Sequence, residues 1–140
     1  MRREERRRFD ALFEAVLEEM PEEIRRMTEE VPVVLEDHPD PELLRGMGLD
    51  PDDLGALCGL HSGIPLTERS VEHGALPDVV TLYREGILEE AGGWEEATEA
   101  DGGRAGGEER IRHEIRVTLL HELGHHFGLG EDDLERLGYG

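Results

Sequence analysis

The fold of this chain is predicted mainly from one stretch, His121-Glu122-Leu123-Gly124-His125-His126-Phe127-Gly128. It contains the pattern H-E-x-x-H, whose two histidines lie on one face of a helix, roughly 6 Å apart along its axis. Both imidazoles can then reach one tetrahedral zinc ion. The segment Glu108–Phe127 has no proline and carries apolar residues at helical spacing. It therefore predicts one uninterrupted helix, the site helix.

The residues around the two histidines supply the other parts of a hydrolytic zinc site. Glu122 follows the first histidine directly, where its carboxylate can take the proton of a zinc-activated water. Gly128 can adopt a positive φ, so the helix can end there and the chain can turn back. The third ligand of the longer motif is ten residues after His121, which is Glu131. Asp133, two residues further on, is the alternative third ligand if the turn is looser.

Three more side chains lie near the motif in sequence and could belong to the site. His113 lies two turns before His121 on about the same face, where it could support the metal ligands or remain a surface histidine. Tyr139 could donate to a developing oxyanion or pack at the end of the chain. His126 is turned by about 100° from His125, which favours a packed or solvated side chain over a ligand. The remaining histidines, which are His38, His61 and His73, are weaker candidates than His113.

The motif and two earlier segments resemble one family. The stretch from Leu119 to Leu129, with Leu134–Tyr139 after it, resembles the small single-domain zincin-like metallopeptidases of bacteria, sometimes called mini-zincins. The segments Gly63–Val71 and Leu76–Arg84 also look like that family. The resemblance covers roughly residues 60–139.

The resemblance implies an α+β fold, a minimal zincin-like domain in which a small mixed sheet packs on helices that include the H-E-x-x-H helix. It implies one zinc ion per chain and hydrolysis of peptide bonds, with Glu122 as the general base. In zincins an edge strand of the sheet runs beside the zinc and holds the substrate backbone, and Val79–Arg84 is our candidate for it. The family's third ligand is an aspartate, whereas this chain has Glu131, and glutamate also binds zinc.

Length and composition set limits on the kind of protein. The 140 residues predict one domain, residues 1–140, and the net charge of −20 predicts a surface that repels nucleic acid and anionic membranes. All 15 basic residues are arginine, which excludes lysine-based covalent chemistry. The single cysteine, Cys58, excludes an internal disulfide and predicts a small packed residue. With no secretion signal and no long apolar run, we expect a cytoplasmic protein.

The order of predicted elements favours an α+β fold over a doubly wound sheet. Phe9–Met20 has the periodicity of an amphipathic helix, and Val33–Leu35 indicates a short buried strand. Val79–Arg84 is rich in β-branched residues and predicts another strand. The segment 92–107, rich in glycine and acidic residues, predicts a flexible surface loop before the site helix.

Two classes of function follow from these observations. The first is a zinc metallopeptidase acting on a peptide or protein substrate. The second is a catalytically inactive zincin-like scaffold that serves in binding or assembly, favoured by the acidic surface and by the few residues after the motif. Glu122 favours the first, because a structural zinc site needs no base beside its ligands. The sequence leaves the oligomeric state open, and a homodimer is one possibility.

Overall fold

The computed structural model describes residues 1–62, 78–98, 100, 102–130, 132 and 135 of the chain. Its elements follow one another in the order α1, α2, β1, α3, β2, β3, α4, β4, β5 and α5. The helices are α1 (Arg3–Glu19), α2 (Glu22–Glu30), α3 (Pro41–Gly46), α4 (Arg84–Ala91) and α5 (Glu108–Phe127). The strands are β1 (Val33–Glu36), β2 (Gly59–Ser62), β3 (Val79–Tyr83), β4 (Ala97–Thr98) and β5 (Arg104–Ala105). Helices and strands do not alternate regularly, and the fold is α+β as predicted.

The main sheet has three strands in the order β1-β3-β2. β1 runs parallel to β3, and β2 runs antiparallel to it, so the sheet is mixed as expected. The prediction that Val79–Arg84 forms an edge strand is wrong, because β3 lies in the middle with strands hydrogen-bonded on both sides. The strand also ends one residue earlier, since Arg84 begins α4. β2 is the edge strand on the other side of the described sheet from β1.

One apolar core is shared by α1, α4, α5 and the middle strand. Val80 and Leu82 alternate into it from β3, as the period of two in a strand requires. The site helix contributes residues at helical spacing, and α1 packs against it. The fully buried members from these two helices are Phe9, Val16, Ile111, Ile115, Leu119 and Leu123. This packing fixes the position of α5 against the sheet.

The segment between α4 and α5, which was predicted from the sequence as a flexible surface loop, contains regular structure. β4 and β5 pair as two short antiparallel strands within residues 92–107. The Arg8 guanidinium of α1 lies over the Trp94 ring, 4.4 Å from its centroid, and Arg8 also binds Glu108 at 3.0 Å. These contacts connect the segment and the first turn of α5 to α1.

A buried arginine joins the other end of the sheet to the helices. Arg84 donates to Asp10 of α1 at 2.9 Å and to Asp37, just after β1, at 3.1 Å. Asp37 also accepts from Arg6, whose hydrogen bond lowers the pKa of that carboxyl, while burial opposes the shift. Among the described helices, none is both long and apolar enough to cross a membrane.

Candidate metal centre

The site helix has the bounds that the sequence predicted. It runs from Glu108 to Phe127 and ends at Gly128, which has a φ of 68° in the left-handed region. The Gly128 N–H and the Leu129 N–H both bond to the Gly124 carbonyl, which closes the last turn. The predicted helix end at Gly128 is therefore confirmed. The last turn of α5 carries His125, close to this fixed end.

The structure brings His121, Glu122 and His125 together. One donor atom of each lies within 4.8 Å of the others, and the two imidazole rings are 4.4 Å apart between centroids at an angle of 64°. The His125 Nδ1 is 3.5 Å from the Glu122 Oε2. The two histidines are exposed, whereas the Glu122 side chain is only 10% exposed. The histidines thus face solvent, where an ion could reach them, while the carboxylate is held against the protein.

Gly59 is the residue that makes room for Glu122. A Cβ at this position of β2 would lie 2.7 Å from the Thr118 Cγ2, 3.1 Å from the Glu122 Cγ and 3.2 Å from the Thr81 carbonyl oxygen. The strand backbone can therefore approach α5 only without a side chain here. This role was not predicted from the sequence, although a single glycine in a strand is a recognised sign of close backbone approach.

We expect Gly59→Ala to lower the free energy of unfolding by about 1–3 kcal/mol, because the added methyl overlaps Thr118 and presses on Glu122. Urea unfolding measures this. Adding Thr118→Ser removes the Cγ2 that the methyl meets first, and the double variant should recover part of the loss. Gly46→Ala is the control, because its Cβ meets nothing within 4 Å. Equal stability of the Gly59 and Gly46 variants would contradict the expectation.

Cys58, the neighbour of Gly59, is not a nucleophile at neutral pH. Burial, and then the charges of nearby carboxylates that include Glu122, raise the pKa of its thiol to about 11. The thiol therefore stays protonated, and a thiolate is the form that reacts. The side chain is half-buried and packs against the core. This agrees with the prediction of a small packed residue.

A second group of donors lies on another side of the same helix. His126 is buried, as a packed residue should be, and its Nδ1 is 3.0 Å from the Asp78 Oδ2. The Asp78 Oδ1 is 3.7 Å from the Nε2 of His61, which is on β2. The His61 and His126 rings are 5.5 Å apart between centroids, at an angle of 75°. From the sequence, His61 was only a weak candidate for the site and Asp78 was not a candidate.

Of the other predicted site residues, His113 lies within the described part of the chain. Glu131, Asp133 and Tyr139 lie outside the described residues, so their predicted roles stay predictions. His113 is exposed on α5 and is not one of the donors that gather at His121 and His125.

The residues at the motif fit a zinc ion. Two imidazoles at i and i+4 are typical zinc ligands, and the distance between their donors allows both to reach one ion. The Glu122 carboxylate lies beside them, with its Oε2 3.5 Å from the His125 Nδ1. A Cβ at Gly59 would lie 3.1 Å from the Glu122 Cγ, so this side chain lies close to β2. The described donors are therefore two imidazoles and one carboxylate, a set that zinc can bind.

A helix with this motif, packed on a small mixed sheet, defines the class of zinc-dependent hydrolases of the zincin type. A comparison with protein families agrees. The profile of the zincin-like metallopeptidase family matches residues 28–140, and the chain belongs to this family. A search of curated proteins found no match.

Proposed function

We propose that this chain is a zinc-dependent metallopeptidase that hydrolyses peptide bonds with Glu122 as its general base. The observation that supports this most directly is the gathering of His121, Glu122 and His125 on one helix, with the carboxylate nearly buried and both imidazoles exposed. Membership of the zincin-like metallopeptidase family supports the same activity. One zinc ion per chain would occupy this site, held by His121, His125 and a third ligand.

The chemistry divides between the ion and the protein. Zinc, when bound, supplies Lewis-acid activation of the attacking water and of the substrate carbonyl. Glu122 takes the proton of that water at a carboxylate oxygen and passes it to the leaving amide nitrogen. The Glu122 side chain is nearly buried and lies close to β2, so its carboxylate is already beside the histidine pair before a substrate binds.

The substrate side of the proposal rests on β2. It is the edge strand of the described sheet that packs against α5, and a Cβ at its Gly59 would lie only 3.1 Å from the Glu122 Cγ. An extended peptide can add to such an edge through main-chain hydrogen bonds, which would align its backbone along the site helix. We therefore place the substrate along β2 and no longer along the central strand β3. An unfolded peptide or protein segment is the substrate class that this geometry suits.

The wider setting is part of the proposal. A net charge of −20 disfavours nucleic acid and anionic membranes as partners. A single cysteine with a protonated thiol suits a reducing compartment, and we propose the cytoplasm. The experiment that tests the activity measures hydrolysis of a library of unfolded peptides by the zinc-loaded protein, with Glu122 intact and with Glu122 replaced by Gln.

Glu131 is our proposed third ligand, and Asp133 is the alternative. Glu131→Gln should weaken zinc binding by at least about tenfold, because it replaces a charged donor with a neutral amide. Asp133→Asn should change the affinity much less. A paired zinc titration of the two variants measures the difference. A larger loss in the Asp133 variant would move the third ligand to that residue, and equal losses would remove the distinction.

A further inference from the structure

We propose that His61, Asp78 and His126 form a second metal site, which binds a divalent transition-metal ion such as zinc independently of the H-E-x-x-H motif. These three residues come from β2, from the residue before β3 and from the last turn of α5. One donor atom of each lies within 4.8 Å of the other two. Asp78 and His61 precede His126 by 48 and 65 positions in the sequence, and the fold brings all three together.

The distances suit a metal ion. Ligands at 2.0–2.2 Å from a tetrahedral zinc are about 3.3–3.5 Å from one another. The Asp78 Oδ2 is 3.0 Å from the His126 Nδ1, and the other carboxylate oxygen, Oδ1, is 3.7 Å from the His61 Nε2. The carboxylate therefore lies between the two imidazoles, at distances close to those between ligands that share one ion. A tetrahedral ion would have one further position, which a water molecule can fill.

The burial of the cluster and its donor set point the same way. The side chains of His61, Asp78 and His126 are 5%, 3% and 5% exposed. Three side chains that can each bind a metal therefore meet at a point that solvent barely reaches. Two imidazoles and one carboxylate form a donor set that transition metals prefer to Mg²⁺ or Ca²⁺.

This second site has a different task from the first. Its ligands are buried, whereas His121 and His125 are exposed, so a substrate has little access to it. An ion held there would connect two neighbouring strands to the end of α5, one residue after His125. It would thus stabilise the helix that carries the motif. We assign it a structural role, and its existence does not depend on peptidase activity.

Zinc stoichiometry tests the proposal. The protein is freed of metal with a chelator, loaded with zinc, passed through a desalting column and analysed for metal per chain. We expect two zinc ions in the wild type and one in the double variant His121→Ala, His125→Ala. Asp78→Asn in the wild-type background should also bind one, and adding it to the double variant should leave none. The control variant His38→Ala, His113→Ala, which changes histidines outside both groups, should keep two.

Thermal unfolding supplies a second measurement. In the His121→Ala, His125→Ala background, zinc at 100 times its Kd should raise Tm by roughly 5–10 °C, and Mg²⁺ should not. This measurement needs only the double variant, so it remains decisive if Asp78→Asn fails to fold. Zinc absent from the double variant, with no shift in its Tm, would overturn the proposal. The wild type could also bind a single ion that persists in the double variant and is lost with Asp78→Asn. That result would support the second site and would show that the motif itself does not hold zinc.

Discussion

Zinc-loaded protein carrying Glu122→Gln is expected to keep its metal, while its rate of peptide hydrolysis falls by about 10²–10⁴-fold. Glutamine keeps the shape of glutamate, so the packing of the Glu122 Cγ against Gly59 is preserved. It cannot accept the proton of the attacking water. Metal analysis and turnover of an unfolded peptide, measured on the same sample, test both parts of the expectation.

The control for this variant is Glu109→Gln on the same helix. Its side chain is 91% exposed in the first turn of α5, far along the helix from the histidines, and its loss should leave turnover unchanged. Wild-type turnover in metal-loaded Glu122→Gln would remove Glu122 from the role of base. If the wild type cleaves none of a broad library of unfolded peptides, and a crystal structure shows a side chain in the fourth zinc position, the scaffold function replaces the peptidase.

Local features of the site were predictable from the sequence because they depend on near neighbours. Apolar spacing and the lack of proline gave the bounds of α5, and the glycine at 128 gave its end. The i, i+4 relation places His121 and His125 on one face of any regular helix. No long-range information is needed for these steps.

Features that depend on distant parts of the chain were not predictable in the same way. A strand pattern such as that of Val79–Tyr83 does not say whether the strand lies in the middle or at the edge of a sheet, because alternation reports burial of the faces and not pairing of the edges. The hairpin of β4 and β5 was missed because each strand has only two residues, too few for a period to be recognised.

The second donor group shows the same limit. Helical geometry predicted that His126 points away from His125, but not what it would meet. Its partners, His61 and Asp78, lie in segments whose sequences carry no metal-binding spacing, and only the pairing of β2 with β3 brings them together. Gly59 is an intermediate case. Its presence beside a strand could have indicated a close approach, but the partner, Glu122, is 63 positions away.

Removal of both motif histidines should have the largest effect on the first metal site. We expect His121→Ala, His125→Ala to weaken zinc binding there by at least about 10³-fold and to abolish hydrolysis, because two of the three proposed protein ligands are lost. Both side chains are exposed, so the free energy of unfolding of the metal-free protein should change by only about 0.5 kcal/mol. His113→Ala, an exposed histidine on the same helix, is the control and should keep both zinc and turnover.

Zinc titration, peptide turnover and urea unfolding of the metal-free samples together separate loss of ligands from loss of fold. Full zinc retention by the double variant would contradict the assignment of His121 and His125 as ligands. A large fall in the stability of the metal-free variant would show instead that the two side chains support the helix itself. The exposure of the pair argues against that second outcome, because α5 is held in place by its buried residues, which include Ile111, Ile115 and Leu119.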